Sequence, residues 1–207
     1  MAAITGRAGG ITARQGADFE MGARMTGEGN FLAENLSGRW AERTYRGNVH
    51  FLARAAVTVP VNASTLVSVC GIYNPPGSGK VLEIIDTDVQ FALATTVVQS
   101  FVWVSSTVAA SALATFTTAV TARNRRMQDP SSTVARVYSA VTHSGTPDVE
   151  AHIASTGAVT FTGMAIRRTF EGALLIPQGV LASIATLTAA STSSGINLGF
   201  SWADLPA

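Results

Sequence analysis

The sequence is short of charge, of lysine and of cysteine, and each shortage excludes something. Only 13% of its 207 residues are charged, Lys80 is the single lysine beside thirteen arginines, and the formal net charge is +1. Without a strong basic excess the chain lacks the attraction to phosphate on which dedicated nucleic-acid binders depend. One cysteine, Cys70, excludes an internal disulfide framework and a cysteine-rich zinc site. No run reaches the ~18 consecutive apolar residues that a membrane helix needs. The most apolar region, 91–121, is broken repeatedly by Thr, Ser and Gln. The N-terminus, Met1 to Gly10, has no apolar segment of the secretory type, so a soluble chain made in a cytosol is expected.

Small residues fill the space that charge leaves. The chain holds 33 Ala, 24 Thr, 18 Ser and 19 Gly, a composition that suits short strands and turns better than long helices. Its texture changes near residue 47. Residues 1–54 carry seven of the arginines and nine of the glycines, with little period-2 alternation. Each glycine would cost a helix roughly 1 kcal/mol. Residues 1–46 therefore read as an extended arm with isolated apolar anchors, Phe19, Phe31 and Trp40 among them.

From residue 47 to 207, β-type runs alternate with turn signals, the pattern of a sandwich or barrel. Val89, Phe91 and Leu93 share one face of a run, as do Phe101 and Trp103 of the next. Leu198, Phe200 and Trp202 alternate with Asn197, Gly199 and Ser201 near the C-terminus. Eight to ten strands without a convincing intervening helix predict an all-β, antiparallel, jelly-roll-like β-sandwich. Within this region the Ala-rich stretch 108–122 is the main segment with helical propensity; its Thr and Phe content favours a strand.

Chemical motifs are few. Asn74-Pro-Pro-Gly-Ser-Gly-Lys80 imitates a phosphate loop, but Asn74 stands where the first glycine belongs and Val81 where Ser or Thr would hold magnesium. It reads as a hairpin turn. His50, His143 and His152 lack metal-ligand spacing, and Glu83, Asp86 and Asp88 read as solvated strand charges. His143, Ser144 and Asp148 carry the letters of a nucleophilic triad, yet adjacency within one turn cannot supply its geometry. Cys70, in an apolar run with no basic sequence neighbour, reads as a buried small hydrophobe. Arg123, Arg125 and Arg126 crowd one loop and Arg167–Arg168 form a pair, each able to dock an acidic surface. No catalytic, cofactor or metal site is expected, and the chain does not read as an enzyme.

The Gly- and Arg-rich arm ending at Arg43-Thr-Tyr-Arg-Gly47, the Ala, Thr and Val strands of 53–69, the strand–turn–strand of 73–82 and the ending Gly199-Phe-Ser-Trp-Ala-Asp-Leu-Pro-Ala207 together carry a likeness. In these features the chain resembles the jelly-roll cement or decoration proteins that cover the capsids of tailed bacteriophages. The resemblance implies a non-enzymatic virion structural protein on the capsid exterior, made in the host cytoplasm. It further implies no cofactor, a homotrimer, and a partner in the major capsid protein rather than nucleic acid or membrane. The arm would then bind the shell through Arg7, Arg14, Phe19, Arg24, Phe31, Arg39, Trp40, Arg43 and Arg46. Rival readings are a head-fibre or receptor-binding module, a neck or tail accessory protein of the virion, and a carbohydrate-binding jelly roll.

Overall fold

The computed structural model describes residues 40, 43–44, 46–59, 66–92, 99–107, 117–127, 129–143, 145–156, 165–187 and 194–207. The chain divides into two compact units, Met1–Glu42 and Arg43–Ala207. Arg43 and Thr44 are helical just ahead of the first strand, and the strands all belong to the second unit. They are β1 (Val49–Val59), β2 (Val67–Tyr73), β3 (Lys80–Phe91), β4 (Gln99–Thr107), β5 (Thr117–Val120) and β6 (Arg123–Asn124). After these come β7 (Arg136–Ala140), β8 (Asp148–Thr156), β9 (Ala165–Thr169), β10 (Leu175–Ile176), β11 (Val180–Thr186) and β12 (Ser194–Pro206).

Two antiparallel sheets face each other as a sandwich. The first runs β10-β3-β12-β1-β6, with β9 continuing along the β3 edge that β10 begins; the second runs β5-β7-β2-β11-β4-β8. The pairings are nested. β4 pairs with β8, β3 with β9 and β10, β2 with β11, and β1 with β12, so the chain folds back on itself as one long ribbon shared between two sheets. Strands β5 to β7 are an insertion between β4 and β8. It adds β6 to the free side of β1, and β7, followed by β5, to the free side of β2.

Alternation decides which side chains meet between the sheets. Val89, Phe91, Phe101, Trp103, Leu198, Phe200 and Trp202 are all buried in one hydrophobic cluster, as their period-2 spacing predicts. Trp103 of the second sheet meets Phe200 of the first edge-on, at 5.4 Å between ring centroids, and Phe91 meets Phe101 at 6.0 Å. Each such side chain contributes about 1.5–3 kcal/mol on leaving water. Leu93 and residues 108–116 lie outside the described residues.

Three local expectations change. The 74–80 turn is no hairpin, because it carries the chain from β2 in one sheet to β3 in the other. Buried Asn74 holds this corner, its amide donating to the Lys80 and Ile176 carbonyls while its Oδ1 accepts from Ser78. The arginine loop contains a strand: Arg123 and Asn124 pair with Phe51 and His50 of β1. Asn124 secures it by donating to the Gly47 carbonyl at 2.7 Å. Finally, the second unit begins at Arg43, inside the segment that composition assigns to the arm. The backbone NH groups of Gly47 and Asn48 donate to the Thr44 and Arg43 carbonyls, which fastens this turn to the start of β1.

Candidate functional site

The outward face of the first sheet gathers charge. Strand alternation turns Asp86 and Asp88 of β3 away from the core, beside Ser201 of β12 and Arg167 of β9. Asp86 is not a solvated strand charge: its side chain is 5% exposed. It accepts from the Ser201 hydroxyl at 2.5 Å and from the Arg167 guanidinium at 2.5 Å, and Arg125 stands 3.7 Å away. Ser201 faces outward by plain alternation with Phe200 and Trp202, and a bulge in β3, where Ile85 is the extra residue, turns Asp86 toward it although Ile84 packs in the core.

The Asp86 carboxylate holds Arg167 protonated by hydrogen bond and charge. Burial pushes the Asp88 carboxyl up, with Asp86 adding to the shift, while Arg167 and Arg125 oppose it. Arg125 also lies over the Phe51 ring, 5.0 Å from its centroid. Glu83, further along β3, is likewise buried and receives the Arg43 guanidinium at 2.6 Å. Members of both arginine clusters thus converge on acids of their own chain. What they still offer outward is the half-exposed remainder of each guanidinium, 40% for Arg125 and 59% for Arg167.

The second cluster straddles the opposite sheet. His143, in the connection from β7 to β8, places Nδ1 2.7 Å from the Ser106 hydroxyl of β4. Its Nε2 lies 2.7 Å from the Ser183 hydroxyl of β11. Ser183 in turn meets Ser68 of β2 at 2.7 Å. Burial lowers the His143 pKa. A polar hollow of about 400 Å³ opens beside it, lined by Leu66, Ser68, Thr142, His143, Thr146 and neighbours. Ser144 lies outside the described residues, and Asp148 caps no histidine here but begins β8.

A third group has the composition of a nucleophilic triad that the sequence does not reveal. Ser131 Oγ is 3.1 Å from His50 Nδ1, and His50 Nε2 is 3.8 Å from Asp204. Its geometry serves clamping instead. The His–Asp separation exceeds hydrogen-bond length. The Asp204 oxygens are taken by the Thr133 hydroxyl and the Val134 backbone NH. Burial against Trp202 lowers the His50 pKa despite the nearby carboxylate, so an imidazolium is poorly supported there.

Cys70 fits its sequence reading with one correction. It is buried and its pKa is raised to about 12, chiefly by burial, but Arg54 of β1 does stand beside it and opposes the shift. Among the described residues no group of three or more His, Cys, Asp or Glu could hold a metal ion.

Of the residues expected to bind a partner, Arg7, Arg14, Phe19, Arg24, Phe31 and Arg39 lie outside the described residues. Trp40 belongs to the first unit and is half-buried, and Arg46 is exposed at the turn before β1. Arg43 is committed to Glu83.

Fold and surface together define an antiparallel β-sandwich with a neutralised, arginine-rich face on one sheet and a histidine-pinned connection on the other. No family model matches the chain, and neither a curated protein nor a solved structure matches it.

Proposed function

We propose that this protein is a non-enzymatic virion structural subunit, a cement or decoration protein that binds and stabilises the head shell of a tailed bacteriophage. The observation that supports the reading is the nested strand pairing across two antiparallel sheets, an arrangement in keeping with a jelly roll, the architecture that recurs in viral capsid domains. The β5–β7 insertion widens both sheets without breaking that order.

In this reading residues 1–42 reach the major capsid protein, with Phe19, Phe31 and Trp40 as apolar anchors and Arg7, Arg14, Arg24 and Arg39 as partners for acidic groups. Arg43, half-exposed although Glu83 engages it, and the exposed Arg46 complete that set at the start of the second unit. Ordering an arm costs on the order of 1–2 kcal/mol per residue, which anchors seated between shell subunits offset better than one small surface does. The weakly charged sandwich does little to keep its copies apart, in keeping with a homotrimer.

Quantitative composition of a purified particle tests the reading together with removal of residues 1–42. Copies in the hundreds, and a truncated protein that stays folded but no longer binds shells, are expected. A handful of copies would point to the neck or tail instead. Undiminished shell binding by the truncated protein would refute the arm mechanism.

A further inference from the structure

The connection from β7 to β8 has an unusual route. β7 lies beside β2 near one side of the second sheet and β8 forms its opposite edge, so the chain must cross over β2, β11 and β4. It crosses on the face turned away from the sandwich core. Ala182 and Ile184 of β11 pack in that core, so Ser183 between them points outward.

Two contacts pin the crossing. Val141 sits over Gly71 of β2, where a Cβ would come within 2.2 Å of a Val141 methyl, and packs with Tyr73, Tyr138 and Leu181 in a small outer cluster. Two residues on, His143 bridges Ser106 and Ser183.

The charge environment of His143 can be read strand by strand. β2, β4 and β11 contain no Asp, Glu, Lys or Arg; their titratable groups are Cys70, which is in the core, and Tyr73. β7 brings Arg136 and Tyr138. β8 brings Asp148 and Glu150, both exposed, and His152; Glu150 accepts from Ser105, on the other side of β4 from Ser106. The surface beneath the ring therefore supplies hydroxyls but no carboxylate to meet an imidazolium.

We propose that residues 141–143 form an acid-released strap, in which His143 binds the charge-free strand face as neutral imidazole and detaches on protonation, baring the Tyr73–Tyr138–Leu181 patch. A neutral ring needs one donor and one acceptor, and two serine hydroxyls satisfy both whichever tautomer is present. A cation at the same place keeps its hydrogen bonds but loses its hydration without gaining a counter-charge. The lowered pKa of His143, which has burial as its cause, agrees with this. The inference rests on the second sheet alone and is independent of any role on a shell.

Amide hydrogen exchange of the full-length protein between pH 7.5 and 5, corrected for the intrinsic pH dependence of exchange, tests it. Opening of the segment covering 141–143 should rise by up to about tenfold per pH unit below about pH 6.5, because only the opened form binds the proton freely. His143→Gln, which cannot titrate, should abolish that dependence while the sandwich strands stay protected. If the glutamine variant fails to fold, the imidazole resonances of the wild-type protein give a second reading: His143 should titrate below 6.5 in step with the loss of protection. Protection of the strap that does not change between pH 7.5 and 5, or an identical pH response in His143→Gln, would overturn the proposal.

Discussion

The indole N–H of Trp103 donates to the Thr87 hydroxyl at 3.0 Å, and this bond joins the two sheets through the middle of the sandwich. Both residues are fully buried. A threonine facing inward on β3 would otherwise be an anomaly among Ile84, Val89 and Phe91; the indole gives its hydroxyl a partner and settles how the sheets slide past each other.

Thr87→Val keeps the shape and removes the acceptor. A buried N–H left alone costs about 1–3 kcal/mol, so the urea midpoint should fall accordingly, whereas Thr87→Ser should retain most of the stability. A valine variant as stable as the wild type would show that the bond contributes nothing net.

Gly71→Ala should be destabilising out of proportion to one methyl group, because the new Cβ would overlap the Val141 side chain. About 1–3 kcal/mol is expected for such overpacking. Combining it with Val141→Ala should recover part of the loss, and a double-mutant cycle gives the coupling directly. Strict additivity would mean that the two positions do not touch in solution.

Asp86 and Arg167 should respond unequally to truncation. Asp86→Ala strands the buried Ser201 hydroxyl and releases two arginines, for an expected loss of about 1–3 kcal/mol. Arg167→Ala removes a half-exposed partner while Asp86 keeps Ser201 and Arg125, so under about 1 kcal/mol is expected. Denaturant titrations of both variants decide it; a larger effect from the arginine would contradict the assignment of Asp86 as the hub.

Stability should fall with acidification from about pH 7 to 5. His50 and His143 are both shifted below the ordinary histidine value by burial, with Asp204 opposing at His50. Near pH 6.5 the unfolded chain therefore takes up protons that the folded chain refuses. The stabilisation is full above that pH and is lost as pH drops through the folded values. Asp88, raised chiefly by burial, acts in the opposite sense, its contribution being present below about pH 3.9 and lost as pH rises through its folded value. Thermal midpoints across the range should decline, and the His50→Asn/His143→Gln double variant should flatten the decline. An undiminished slope in that variant would assign the effect elsewhere.

Alternation carried most of the fold. Leu198, Phe200 and Trp202 could be placed inside because period 2 is a local property of the chain, and a sandwich core follows from several such runs. Polar residues resisted the same reading because their partners are remote. Glu83 and Asp86 look like surface charges until Arg43, Arg125 and Arg167, from three distant segments, are folded over them. Ser68, Ser106 and Ser183 are ordinary strand serines in the sequence, and only the crossing of His143 over three adjacent strands makes them a group. The pairing of Arg123 and Asn124 with β1 was hidden for a related reason: two residues are too few to show a period.

The order of β1 and β12 has a mechanical consequence. These strands are antiparallel, with Val49 opposite Ala203, so the start of the sandwich and its C-terminus lie at the same end of one ladder. A pull between those two points opens the ladder one rung at a time, like a zipper, and meets little resistance. A pull entering at Val49 and leaving through the far end of β12 or another strand would load the whole register of β1 at once, in shear. A tether on the N-terminal side therefore withstands most tension when the opposing grip is taken on the body of the sandwich and not on its last residues.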